Sequence, residues 1–127
     1  MANKKVARAL TPLELEIMQA LWELGAAPLQ AVHAHVARRK PRAYTTVQTV
    51  LQVLHRKGKV AREKRQRAYL YRALETRQTV ARRALGGLLD NLFGGSAESL
   101  VLNLVESKQL DAAALERARR LLKGGTS

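Results

Sequence analysis

The chain contains no cysteine. Disulfides and thiolate metal sites are therefore excluded. Aromatic residues make up only 4% of the 127 residues, which argues against gripping single-stranded nucleic acid by base stacking. No apolar run approaches the roughly 20 residues that span a bilayer, so membrane insertion is not expected. The start Met1-Ala2-Asn3-Lys4-Lys5 is charged but has no apolar stretch after it. It does not read as a signal peptide, and a cytoplasmic location is expected. There is no Gly-rich phosphate loop and no Ser/His/Asp arrangement in a helpful context. His33 and His35 are two apart and cannot share a helix face, and His55 is distant, so no metal site is expected. Neither an enzyme nor a cofactor is anticipated.

Acidic residues are scarce as well: 10 Asp and Glu against 23 Lys and Arg, a net charge of +13. The placement of that charge is informative. Residues 38–72 hold twelve cations (Arg38, Arg39, Lys40, Arg42, Arg56, Lys57, Lys59, Arg62, Lys64, Arg65, Arg67, Arg72) and one acid, Glu63, hence +11 of the total. Residues 75–127 hold eight cations and six acids, only +2. Charge concentrated this way is the footprint of a polyanionic partner.

What is present centres on the run from Ala43 to Gly58. Val47, Val50, Leu51 and Leu54 fall at i, i+3, i+4 and i+7, the spacing of one buried helix face. The opposite face carries Thr45, Gln48, Thr49 and Gln52 and no acid. Short neutral groups that hydrogen-bond, with the threonine methyls, suit the base edges of a DNA major groove. Thr45, Thr46, Gln48 and Thr49 are thus candidate base contacts. Lys40 and Arg42 precede the helix and are candidate backbone contacts. An ordinary solvated face is the plain alternative.

Taken in order, residues 1–9 read as a short basic arm. Thr11-Pro12-Leu13-Glu14 is a capping box with Pro at the first helical position. Ile17, Leu21 and Leu24 form an apolar row widened by Met18 and Trp22, and Gly25 can close the helix. Trp22 reads as a core anchor. Ala26-Ala27-Pro28-Leu29 suggests a turn or a very short strand. Residues 30–38 read as a second helix with Val32 and Val36 inward. The loop Arg38-Arg39-Lys40-Pro41-Arg42 leads into the third. Two helices joined by a short connection, the second with the reading face, is the helix-turn-helix pattern.

After Gly58 the period changes. Residues 60–64 and 68–72 read as strands, the second rich in β-formers at Tyr69, Leu70 and Tyr71. Between them, Arg65-Gln66-Arg67 forms a basic tip. A hairpin beside a reading helix is a wing, with Arg65 and Arg67 placed for phosphates or a minor groove. Residues 77–93, 97–107 and 112–123 then read as three helices with broad apolar stripes. Such a unit of some fifty residues is marginal alone. Dimerisation through residues 76–123 is expected, with Leu88, Leu92, Leu100, Leu104, Leu115 and Leu122 as candidate interface residues.

The blocks Leu10-Thr11-Pro12-Leu13-Glu14, Ile17-Met18, Leu21-Trp22, Tyr44-Thr45-Thr46-Val47-Gln48-Thr49-Val50-Leu51, Lys57-Gly58 and Arg67-Ala68-Tyr69-Leu70-Tyr71 resemble the penicillinase-repressor family. That family includes the β-lactamase and methicillin-resistance repressors (BlaI/MecI). The match runs in register over about residues 10–123. The resemblance implies a mainly α protein: a winged helix-turn-helix over residues 1–74, three helices plus a small β-hairpin wing, then a three-helix dimerisation domain over 75–127. It also implies repression through an inverted-repeat, double-stranded DNA operator. In the antibiotic-responsive branch a membrane sensor-protease acts upstream, and the repressor is cut after an Asn in a Val-Leu-Asn-Phe stretch. Val101-Leu102-Asn103-Leu104 matches that stretch with Leu104 in place of Phe, which makes Asn103–Leu104 the candidate cleavage site. The copper-responsive branch carries a C-terminal cysteine pattern that this chain lacks. The competing expectation is a non-regulatory architectural or RNA-associated module using the same basic surface.

Overall fold

Thr11 caps the first helix as its spacing to Glu14 predicts. The Glu14 amide donates to Thr11 Oγ1 at 3.1 Å, and the Thr11 amide donates to Glu14 Oε1 at 3.0 Å. The computed structural model describes residues 10–124; the basic arm expected over residues 1–9 lies outside them. Among the described residues there are six helices and three strands: α1 (Pro12–Leu24), β1 (Ala27–Pro28), α2 (Leu29–Ala37), α3 (Tyr44–Arg56), β2 (Val60–Arg65), β3 (Ala68–Ala73), α4 (Arg77–Leu92), α5 (Ala97–Glu106) and α6 (Ala112–Gly124). The strands form one antiparallel sheet in the order β1–β3–β2. The chain divides between Ala84 and Leu85 into two compact units.

The first unit is a winged helix. Its core joins Ile17, Met18 and Leu21 of α1, Val32 and Val36 of α2, Val47, Leu51 and Leu54 of α3, and Val60 and Tyr71 of the sheet. Each helix contributes the row that its 3.6-residue period predicts. Leu24 is the exception. It continues the row of Ile17 and Leu21, yet it is 41% exposed. It is the last residue of α1. The chain turns away at Gly25, whose φ of +77° suits glycine. Trp22 packs against the core, and its Nε1–H donates to the Glu75 carbonyl at 2.8 Å.

The hairpin is tighter than its sequence suggests. Arg65 pairs with Ala68, so the connection is the two residues Gln66-Arg67, not three. Gln66 takes a left-handed φ of +59°, the kind of conformation that lets a two-residue loop follow the strand twist. The register becomes Lys64↔Tyr69 and Arg62↔Tyr71. A one-residue change of register exchanges faces along a strand. Arg62 and Lys64 therefore share a face with Tyr69 and Tyr71.

The helices after the wing have side-chain caps at their starts. Thr76 Oγ1 accepts from the Thr79 amide, Ser96 Oγ from the Ser99 amide, and Asp111 Oδ1 from the Ala114 amide. The Gly95 amide closes α4 on the Leu89 carbonyl at 2.9 Å, as glycine at a helix end permits. In contrast to α1, α2 and α3, no residue of α4, α5 or α6 is buried. Among the described residues no helix is long and apolar enough to cross a membrane.

Candidate nucleic-acid interface

The face of α3 is partitioned sharply. Val47, Leu51 and Leu54 are fully buried, whereas Thr45, Gln48, Thr49 and Gln52 are exposed and Thr46 is half-buried. Burial of the first row fixes the rotation of the helix, so the neutral polar row faces out. No acidic side chain occurs on α3. Its N-cap is Ala43, which supplies no side-chain hydrogen bond. The orphan amides of the first turn, at the positive end of the helix dipole, stay available to an anion.

Two acids of α1 hold α3 at both ends. At its start, Arg42 donates to Glu16 through Nε at 3.1 Å and Nη2 at 2.7 Å. The carbonyl of Arg42 accepts a hydrogen bond from His33 at 2.7 Å. A carbonyl only accepts, so the His33 ring carries its hydrogen on Nε2. The same ring meets Tyr44 edge-on at 5.4 Å between centroids. At the far end, Lys57 Nζ lies 2.7 Å from Glu14 Oε2. Burial alone would raise the Glu14 pKa. The hydrogen bond from Lys57, the Thr11 amide and the Lys57 charge outweigh it, and the net shift is downward.

These pairs change the account of the cations. Arg42 does not stand free, as its loop position suggested, because Glu16 takes one edge of its guanidinium. Lys57 and Lys59 are likewise engaged, by Glu14 and Glu75. Arg65 makes an exposed pair with Glu63 at 3.2 Å, a contact of little energetic consequence in water. Lys40 and Arg67 are exposed and make no ion pair among the described residues.

The wing also carries a cluster that the sequence reading missed. The Arg62 guanidinium sits 4.3 Å from the centre of the Tyr69 ring, and Lys64 Nζ sits at 5.6 Å. The ring holds two cations on one face of the hairpin through cation–π attraction. The cue was the length of the loop: a two-residue connection places Lys64 opposite Tyr69, and a three-residue one does not.

In the second unit, Asn103 is exposed and Leu104 half-buried, both inside α5. Of the expected interface residues, Leu100 and Leu104 are half-buried. Leu88, Leu92, Leu115 and Leu122 are exposed, Leu122 at 85%.

A family model described as penicillinase repressor matches residues 10–124. A penicillinase repressor of Staphylococcus aureus is 25% identical over 122 residues, covering 96% of this chain and 95% of that protein. The methicillin resistance regulatory protein MecI of Staphylococcus aureus is 24% identical over 113 residues, covering 89% and 92%. The transcriptional regulator BlaI of Mycobacterium tuberculosis is 34% identical over 119 residues, covering 91% and 86%. Among solved structures, a MarR family protein from Bacillus stearothermophilus is similar with a TM-score of 0.46 and 20% identity, over 94% of this chain and 77% of that one.

Proposed function

The chain belongs to the penicillinase-repressor family, whose members are transcriptional repressors and not enzymes, and from that membership we propose that it acts as a homodimer on a two-fold symmetric operator. Residues 1–74 bind double-stranded DNA, and residues 75–127 dimerise. The observation that carries the reading is the outward row of α3: neutral, hydrogen-bonding and free of acids, on a helix whose other face is locked in the core. Thr45, Thr46, Gln48 and Thr49 read base edges. Lys40, Arg65 and Arg67 contact phosphates. Arg42 joins them only through the Nη1 edge that Glu16 leaves open. The Arg62–Tyr69–Lys64 cluster adds a second phosphate-facing group on the wing.

Support for the dimer comes from residues 85–124. They leave Leu85, Leu92, Leu102, Leu121 and Leu122 at least half exposed, and so small an apolar unit needs a partner to bury enough area. Joining two winged helices makes the second half-site contact intramolecular. Release is by cleavage at Asn103–Leu104, driven by an upstream membrane sensor-protease. The Asn103 carbonyl accepts from the Ser107 amide at 3.0 Å, so the last turn of α5 opens before the bond is cut. A helix with no buried residue is suited to such local opening.

The test is a nuclease footprint on DNA selected from a random pool. Two protected half-sites related by two-fold symmetry are expected. Protection without sequence preference would instead favour an architectural nucleic-acid module.

A further inference from the structure

The start of α3 is held by a neighbouring helix and not by its own cap. Ala43 at the N-cap supplies no side-chain hydrogen bond, whereas Thr11, Ser96 and Asp111 cap α1, α5 and α6 through their side chains. An N-cap with no hydrogen-bonding side chain leaves a helix start free to fray. The core does not reach that start either. Val47 is the first buried residue of α3. The turn Tyr44-Thr45-Thr46 therefore lies ahead of the packed row, with Tyr44 and Thr45 exposed.

His33 of α2 supplies the hold. Its Nε2–H donates to the Arg42 carbonyl at 2.7 Å, which belongs to the peptide joining Arg42 to the N-cap. A peptide unit is planar, so orienting its carbonyl orients the chain that follows. The same ring meets Tyr44, the first residue of α3, edge-on at 5.4 Å between centroids. His33 is itself firmly placed, because Val32 and Val36 of the same helix lie in the core. Glu16 also grips Arg42, through the guanidinium. That contact ends on a long side chain, which can turn without moving the backbone. The His33 bond acts on the main chain directly.

We propose that His33 is a positioning residue for base reading. It sets the first turn of α3, and with it Thr45 and Thr46, at the height and angle that base edges require. The proposal rests on the DNA-reading role given to α3 above, and it needs only one winged helix, not a dimer. Hydrogen-bond distances span only about 0.5 Å, so a turn free to shift further loses its base contacts. Arg65 and Arg67 lie on the wing and do not depend on that turn. Loss of His33 therefore lowers discrimination between sequences more than it lowers general affinity for DNA.

The experiment compares the full-length protein with His33→Phe and His33→Gln. The first keeps a ring for Tyr44 and removes the donor; the second removes the ring and keeps an N–H donor at similar reach. The probes are a duplex carrying one half-site from the selected pool and a random duplex of equal length, at one salt concentration. His33→Phe is expected to weaken half-site binding about tenfold and random binding less than about twofold. His33→Gln stays within about threefold of the wild type on the half-site. The Thr46 and Val47 amides, which donate to the Ala43 carbonyl at 3.1 and 3.2 Å, exchange with solvent about tenfold faster in His33→Phe. Exchange at Leu51 and Leu54 is unchanged, which separates a loosened first turn from general destabilisation. Wild-type half-site affinity in His33→Phe overturns the proposal. An equal fall on both duplexes does so too, as does a His33→Gln variant as weak as His33→Phe. If the wild-type chain shows no preference for the half-site over random DNA, the base-reading role of α3 has failed and that of His33 falls with it.

Discussion

Glu14 of α1 and Lys57 at the end of α3 meet at 2.7 Å, although 43 residues separate them. The same carboxylate completes the cap of α1. One acid thus starts the first helix and holds the end of the third, and its pKa is lowered in consequence. Glu75 is also lowered, first by the Arg83 hydrogen bond, which with the Lys59 and Arg83 charges exceeds the opposing effect of burial. For carboxylates whose folded pKa lies below the unfolded value, the stabilisation is complete above the unfolded value. It is lost as pH falls through the folded one. Stability of the winged helix is therefore expected to hold above the ordinary glutamate value of 4.5 and to decline below it. Thermal unfolding of the wild type and Glu14→Gln across that range checks this. The variant is less stable at neutral pH and has the shallower acid slope; equal slopes would exclude Glu14 as a source.

The proposed base reading by α3 predicts a specific pattern of losses. Replacing Thr46 or Gln48 by Ala should weaken operator binding by about 1–3 kcal/mol and leave random-sequence DNA nearly unaffected. Titration of both DNAs at one salt concentration measures the difference. A parallel fall on both would make these residues structural or backbone contacts.

The proposed backbone contacts predict a salt signature instead. Removing Lys40, Arg65 or Arg67 should weaken binding to all sequences and lower the slope of log affinity against log salt by about 0.9 for each lost phosphate contact. Arg42→Ala should behave differently. It also frees Glu16 and loosens the entry to α3, so a loss of stability accompanies the loss of affinity. An unchanged slope after removing Lys40, Arg65 and Arg67 together would sink the wing and loop assignments.

Leu122 offers a clean test of dimerisation. At 85% exposure it supports nothing within its own chain, so Leu122→Glu should leave the fold of the single chain intact. If it lies in the interface, a charge there faces desolvation without a partner. Sedimentation should show monomers, with operator affinity reduced toward that of one half-site. A tight, operator-specific dimer in this variant would place the interface elsewhere.

Much of this protein is determined within short stretches of sequence. The cap of α1 needs only Thr11 and Glu14, three residues apart. Of the row Val47, Val50, Leu51 and Leu54 read from spacing, three are fully buried and Val50 is half-buried against the core, and the outward row of Thr45, Gln48 and Thr49 follows by elimination. A helix has one period, so a local pattern states which side is buried. Tertiary structure decided which charges are spoken for. Arg42, Lys57 and Lys59 look alike in sequence to Lys40 and Arg67, and only the crossing of α1, α3 and the β3–α4 link brings Glu16, Glu14 and Glu75 to the first three. It also decided the wing register, where one residue more or less in the loop changes which cations lie over Tyr69. It left Leu24 uncovered at the end of a row whose spacing predicted burial. Periodicity is a property of one element, whereas pairing and coverage depend on where a second element ends, which no local pattern encodes.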